Sequence, residues 1–415
     1  MKVPLSNPDI TELEIKYVID VLRTSKLSLG PKLSEFEKKI AQHLGSKYAV
    51  AVNSGTSGLH LCIKALGISE GDKVITTSFS FIASTNCLLY EKATPVFVDI
   101  DNNTLNISPD KIEEYLEKTI AEDSEFKIKA ILPVHVFGQP CEMDRIVEIA
   151  NKYNLIVIED ACEALDAEYR FDSNGVSDRH VSKNQGNSEA QSSITTLLCD
   201  SAVHWRKVGT IGKAGVFAFY PNKQITTGEG GIIVTDDEEL ACLFRSLRNQ
   251  GRNENGKCLT HVRLGHNYRL SEMNCALGIA QLERVNEILQ KRAEIAKIYS
   301  EKLKDIEGIK TPFISTKVRM SWFVYVVQLD ERFSKEDRDS VLKGMAERGI
   351  GCNNYFPPIH LQPLYVKLFG YQRGTLPITE SVSERTIALP FHNKLKEEHV
   401  DFVCTSLQQE LIKKN

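Results

Sequence analysis

Between Lys73 and Glu159 apolar, β-branched runs alternate with amphipathic stretches, and this alternation restricts the fold more than any other feature of the chain. Runs at Lys73 to Thr77, Pro95 to Asp99, Lys129 to Val136 and Leu155 to Glu159 read as buried strands. Phe81 to Tyr90, Pro109 to Glu117 and Glu142 to Tyr153 read as the helices between them. Strands that alternate with helices predict an α/β fold, a mostly parallel sheet covered by helices on both faces. Ligands then collect at the carboxyl ends of the strands.

Upstream, Asp9 to Arg23 reads as a helix, with Asp9 and Glu12 at capping-box spacing, and a second helix spans Leu33 to Leu44 and stops at Gly45. Gly30-Pro31 breaks the chain between them. The strand Tyr48 to Val52 runs into Asn53-Ser54-Gly55-Thr56-Ser57-Gly58 ahead of a helix, Leu59 to Leu66, closed by Gly67. A strand, a small-residue turn and a helix N-terminus make an anion site, because free N–H groups and the helix dipole face the turn. A phosphate fits there, and so does an ordinary N-cap by Ser54 or Thr56.

Two ionisable residues stand at strand ends. Val216 to Tyr220 reads as a strand leading to Pro221, and Lys223 follows on a short segment that Gly228, Gly230 and Gly231 close before a further strand, Gly231 to Thr235. A lysine held there beside packed backbone is partly desolvated, which favours the neutral, nucleophilic amine that a Schiff base needs; a surface lysine in a glycine-rich hairpin fits the same residues. Asp160 ends the apolar run LIVIED, where a carboxylate is costly unless paired, so it reads as a partner for a cation or as a helix cap.

The aromatic strand followed by PNKQITTGEGG resembles the pyridoxal-phosphate (PLP) lysine segment of the sugar aminotransferases of the DegT/DnrJ/EryC1/StrS family, and the similarity runs from PLSNPDITELE to SVSERTIALPFHNKL. It implies fold type I, with a large domain over residues 1–270, a connecting helix over 271–306 and a smaller C-terminal α+β domain over 307–415. By the same resemblance Lys223 holds PLP, Asp160 keeps its ring nitrogen protonated, Gly55, Thr56 and Ser57 contact its phosphate and Phe81 stacks on its ring. Glu163 stands near the ring hydroxyl, where the family often has Gln or His. Two further departures are Lys213, where Asp is common, and Ala218, where a phosphate-binding Ser is frequent.

Asn267, with Arg269 second, lies in a GHNYR turn that in the family reaches the PLP phosphate of the neighbouring subunit, which implies a homodimer. His360, in NYFPPIHLQP, matches the edge of the family's sugar site. The implied reaction is ping-pong transfer of an amino group to a nucleotide-linked keto-sugar, with L-glutamate as donor. Sugar dehydratases of the same family replace the lysine by histidine, and Lys223 argues against that alternative. A non-catalytic protein retaining the fold is the other alternative, which the departures at Lys213 and Ala218 and an insertion keep open.

That insertion, Arg170 to about His204, is polar, aperiodic and long for a compact domain; it reads as a surface loop or as a flap beside the cleft mouth. Elsewhere the chain continues with a helix at Asp237 to Asn249, a long helical pattern at Ser271 to about Ile306, strands at Trp322 to Leu329 and Ile350 to Phe356, and helices at Lys335 to Arg348, Thr379 to Ala388 and Glu397 to Ile412. A net charge of −4 with 26% charged residues carries no basic excess for nucleic acid. No run approaches a membrane span or a signal peptide, so the expected location is the cytoplasm. Ten cysteines without a C-x-x-C pair signal neither zinc nor an iron–sulfur cluster and are expected as free thiols, mostly buried.

Overall fold

The computed structural model describes residues 1–122, 127–172, 204–253 and 260–414. The N-terminal part runs α1 (Glu12–Leu22), α2 (Pro31–Leu44), β1 (Tyr48–Val52), α3 (Gly55–Ala65), β2 (Lys73–Thr77), α4 (Ala83–Tyr90), β3 (Thr94–Val98), α5 (Pro109–Glu122), β4 (Ile128–Leu132), α6 (Met143–Lys152) and β5 (Ile156–Asp160). It continues through β6 (Glu168–Phe171), β7 (His204–Lys207), β8 (Ala214–Ala218), β9 (Gly231–Thr235) and α7 (Glu238–Arg248).

The central sheet has seven strands in the order β1-β9-β8-β5-β4-β2-β3. Neighbours from β8 to β3 are parallel, and β9 alone runs against both its neighbours, so "mostly parallel" holds with one reversed strand. Alternate residues of β5 face opposite cores: Val157 packs in a cluster with Phe36, Ile40, Ile112, Ile146 and Ile279, whereas Ile158 packs with Leu59, Leu88 and Phe244. Both faces of the sheet are therefore covered.

Several boundaries move for local reasons. The helix expected from Leu59 starts at Gly55, because Ser54 caps it by accepting the Ser57 N–H at 3.1 Å; the small-residue turn is itself the first helical turn. The first helix begins at Glu12, capped by Thr11 with Glu14 at N3, not by Asp9 with Glu12. Pro31 is the first residue of α2, where its missing N–H costs nothing, with Gly30 as its cap. Arg170, Phe171 and His204, assigned to the inserted loop, are strand residues of the β6–β7 pair; residues 173–203 lie outside the described residues.

The long pattern after Ser271 is two helices, α8 (Glu272–Glu283) and α9 (Val285–Leu303), meeting at Arg284, whose guanidinium pairs with Glu14 at 2.8 Å and Asp9 at 3.3 Å. The chain then forms β10 (Ile309–Lys310), β11 (Val318–Arg319), β12 (Tyr325–Leu329), α10 (Lys335–Glu347), α11 (Pro363–Phe369), α12 (Pro377–Arg385), β13 (Thr386–Leu389) and α13 (Glu397–Ile412). The stretch read as one helix, Thr379 to Ala388, changes to strand at the β-branched pair Thr386-Ile387, which joins β12 in antiparallel register. Ile350 to Phe356 is extended but makes only isolated bridges, at Ile350 with Val3 and at Asn353 with Ala388, before Pro357-Pro358. Its last residues, 353–356, line a cleft. Tyr299, Tyr325, Val341, Leu389 and Leu407 gather a separate apolar cluster for this C-terminal layer.

Among the described residues no helix is long and apolar enough to cross a membrane. The described cysteines are all free thiols, five of them buried.

Candidate active site

β1, β8 and β5 point the same way, so Val52, Ala218 and Asp160 end on one edge of the sheet, and β2 ends there too, at Thr77. A cleft of about 670 Å³ opens over that edge. Gly55, Thr56, Phe81, Asp160, Glu163 and Lys223 line it, brought together from four separate chain segments. Its far wall is the C-terminal layer, chiefly Phe323 and residues 353–357.

Lys223 is turned back by its own N–H bonding to the Tyr220 carbonyl at 2.9 Å. Its Nζ lies 3.8 Å from the centroid of the Phe323 ring and 3.5 Å from Glu163 Oε1, with the lysine side chain only 12% exposed. The amine is thus held against an aromatic face at the base of the cleft. Glu163 is fixed on its other oxygen by the Phe137 N–H at 2.8 Å, and burial raises its carboxyl above the usual range, against the opposing pull of Lys223. The next residue, Gln224, donates to the Glu163 carbonyl at 2.7 Å and to Ser321, so the lysine turn is tied to both sides of the cleft.

Asp160 is buried at the end of β5, its Oδ2 accepting from Ser84 Oγ at 2.7 Å and its Oδ1 from the Cys162 N–H at 3.1 Å. It is no helix cap: the elements that follow it are a turn and β6. Gly55 and Thr56 open α3, and the first N–H groups of a helix have no acceptor within it. A Cβ on Gly55 would come within 2.8 Å of both Ala218 Cβ and Cys162 Sγ, so only glycine lets the helix start sit this close to β8. Phe81 is 61% exposed, its ring open to the cleft. Asn222 Oδ1 is buried on the cleft wall with no partner among the described residues, an acceptor left for a bound molecule.

Two expected site residues, Ser57 and His360, are placed elsewhere. Ser57 is buried, its N–H and Oγ both engaged by Ser54, and it is not on the cleft wall. His360 is fully buried beneath the C-terminal layer, with Nδ1 on Ser78 Oγ at 2.7 Å and Nε2 on Glu380 at 3.1 Å, so neither ring nitrogen is free for a sugar. Asn267 bridges Asn249, and Arg269 donates to the Asn249 side chain at 3.0 Å, outside the cleft of the same chain. Of the departures, Lys213 pairs with Asp237 at 2.7 Å and Ala218 lines the cleft without a hydroxyl.

Ser84, Asn222, Phe323 and Asn353 carry no sequence signal, because each is an ordinary residue whose role depends on what faces it. Away from the cleft, His60, Glu91 and His266 place ligating atoms within 4.8 Å of one another, but the Lys64 ammonium holds both Glu91 oxygens, at 2.9 and 3.0 Å, and the group is an ion-pair network.

Known proteins resemble the chain over nearly its whole length. The family model described as the DegT/DnrJ/EryC1/StrS aminotransferase family matches residues 8–408. A GDP-perosamine synthase of Caulobacter vibrioides is 36% identical over 413 residues, spanning 99% of this chain and 99% of that protein. Among solved structures, PseC of Helicobacter pylori, an aminotransferase involved in the biosynthesis of pseudoaminic acid, superposes with a TM-score of 0.84 at 28% identity over the full length of both chains. The PLP form of Spr1654 of Streptococcus pneumoniae superposes with a TM-score of 0.85 at 26% identity, covering 100% of this chain and 99% of that one.

Proposed function

The chain belongs to the DegT/DnrJ/EryC1/StrS aminotransferase family, whose members use PLP, and on that premise we propose that it transfers the amino group of L-glutamate to a nucleotide-linked keto-sugar. The observation that carries this reading is the buried Lys223 amine, set between Glu163 and the Phe323 ring in the same cleft as Asp160 and the start of α3.

These donors suit PLP. The opening N–H groups of α3 would take its phosphate, Asp160 its ring-nitrogen proton, Phe81 a ring face and Lys223 its carbonyl carbon. When bound, the cofactor supplies an electron sink for the pair left as the donor loses its α-proton. The remaining work belongs to the chain. Asp160 stabilises positive charge at the ring nitrogen, and Ser84 and the Cys162 N–H keep its carboxylate from turning away. Lys223 Nζ would move a proton between the substrate carbon and the cofactor carbon, off the donor in one half-reaction and onto the acceptor in the other, which needs the amine free and aimed; Phe323 and Glu163 provide the aim. Glu163, its pKa raised by burial against the pull of Lys223, stands 3.5 Å from that amine.

The nucleotide-linked acceptor rests on the GDP-perosamine synthase likeness, and the donor on the family resemblance. We place the active unit as a homodimer in which Asn267 reaches a partner's cofactor phosphate, with the chain divided at about residues 270 and 306. The deciding experiment incubates the PLP-loaded protein and L-glutamate with a panel of nucleotide-linked keto-sugars, reading 2-oxoglutarate and product mass. An aminated nucleotide sugar supports the reading. Half-transamination by glutamate with no keto-sugar converted overturns the acceptor class.

A further inference from the structure

Beneath the lysine turn lies a charged side chain that the sequence did not mark. Arg292, on α9, is 5% exposed, and among the described residues its acceptors are three backbone carbonyls and no carboxylate. Nη2 donates to the Lys223 carbonyl at 3.1 Å, while Nη1 donates to the Phe323 carbonyl at 3.1 Å and the Trp322 carbonyl at 3.4 Å. Its Cζ lies over the Phe391 ring, 5.5 Å from the centroid. Burial lowers its pKa to about 10, with Asp9 opposing, so it is a cation at neutral pH.

A buried cation without a counter-ion is expensive, and an apolar side chain of similar volume would pack there at lower cost. What the guanidinium supplies is geometry. Lys223 is gripped at its N–H by Tyr220 and at its carbonyl by Arg292, and the direction of the Cα–Cβ bond follows from those two. The same planar fork grips the backbone of Phe323, whose ring is the surface 3.8 Å under the tip of the lysine. One side chain therefore sets the base of the lysine and the floor beneath its amine in a common frame, across the junction between the sheet and the C-terminal layer. An ammonium in its place, a point charge on a flexible stem, can reach one of these carbonyl groups but cannot hold both in a fixed plane.

We propose that Arg292 is a positioning residue for Lys223, registering the lysine backbone against Phe323 so that Nζ is aimed for proton transfer. The proposal rests on the reading of Lys223 as the cofactor lysine, and wild-type protein reduced with borohydride in the presence of PLP tests that reading separately: absence of PLP on the Lys223 peptide by mass spectrometry removes it, whatever Arg292 does.

Given that label, Arg292→Gln and Arg292→Lys are compared with wild type in kcat, KM for L-glutamate, the rate of borohydride-trapped labelling and the melting temperature. Displacing a catalytic group by about an ångström costs up to about 100-fold in rate. Arg292→Gln is therefore expected to lower kcat by about 10- to 100-fold and to slow labelling, with KM changed by less than about threefold, and Arg292→Lys to recover part of the loss. A wild-type kcat and labelling rate in Arg292→Gln, with only the melting temperature lowered, overturns the proposal. If Arg292→Gln does not fold, Arg292→Lys decides alone: reduced kcat at unchanged KM supports the role, and wild-type kcat overturns it.

Discussion

Ser84 Oγ donates to Asp160 Oδ2 at 2.7 Å, so the second residue of α4 fixes the carboxylate at the end of β5. Asp160→Asn keeps the shape but removes the charge that holds a ring-nitrogen proton, and turnover is expected to fall about 100-fold or more, a barrier increase of about 2.7 kcal/mol. Ser84→Ala removes one hydrogen bond to that carboxylate, worth about 1.5–3 kcal/mol where the acceptor is charged, and should lose roughly tenfold. Single-turnover rates with L-glutamate test both; a Ser84→Ala loss larger than that of Asp160→Asn contradicts the ordering.

Lys223→Ala should abolish transamination by several orders of magnitude without unfolding the protein, because the side chain is demanded by chemistry and its neighbours are held by Gln224 and Arg292. Circular dichroism and melting should match wild type, and borohydride should no longer attach PLP. Appreciable turnover by this variant would remove Lys223 from the mechanism.

Gly55→Ala places a Cβ 2.8 Å from Ala218 Cβ and Cys162 Sγ, forcing the start of α3 away from β8. Overpacking of this kind costs about 1–3 kcal/mol. Both the melting temperature and the affinity for PLP should drop, the latter measured by fluorescence titration. A drop in stability with unaltered PLP affinity would separate the helix start from the phosphate site.

Asn267→Ala should weaken PLP retention while leaving every contact inside one chain's cleft intact, since Asn267 is not on that wall. Light scattering should report a dimer, and dilution should release cofactor from the variant sooner than from wild type. A fully active monomer defeats the assignment.

Acid stability should depend on Glu14, the buried carboxylate that ties α1 to the α8–α9 junction. Burial pushes its pKa up, but hydrogen bonds from Thr11, Arg284 and Gln281 outweigh that and lower it from the usual 4.5 to about 2. The folded state then binds fewer protons than the unfolded one between those values, so this contribution is present above pH 4.5 and is lost as the pH falls towards 2. Glu14→Gln cannot ionise; it should melt lower at pH 7 and show a shallower loss of stability from pH 5 to pH 3. Parallel slopes for the two proteins would count against it.

What the sequence by itself determined was periodic or local. The alternation from Lys73 to Glu159 settled the sheet and its covering helices, because crossover connections leave parallel strands little choice, and strand ends placed Asp160 and Lys223 near one edge. Tertiary structure alone decided which polar groups face which. His360 matches a family motif yet is consumed by Ser78 and Glu380, contacts 282 and 20 residues away in the chain. Ser84 and Arg292 carry no signature, since a serine in a helix and an arginine in an amphipathic helix are ordinary until folding sets one against Asp160 and the other against the Lys223 carbonyl. Thr386–Leu389 became strand because β12 offered an open edge, a neighbour no local pattern encodes. Propensity and periodicity act over a few residues, whereas hydrogen-bond satisfaction in a buried site is settled by whatever the fold brings within about 3 Å.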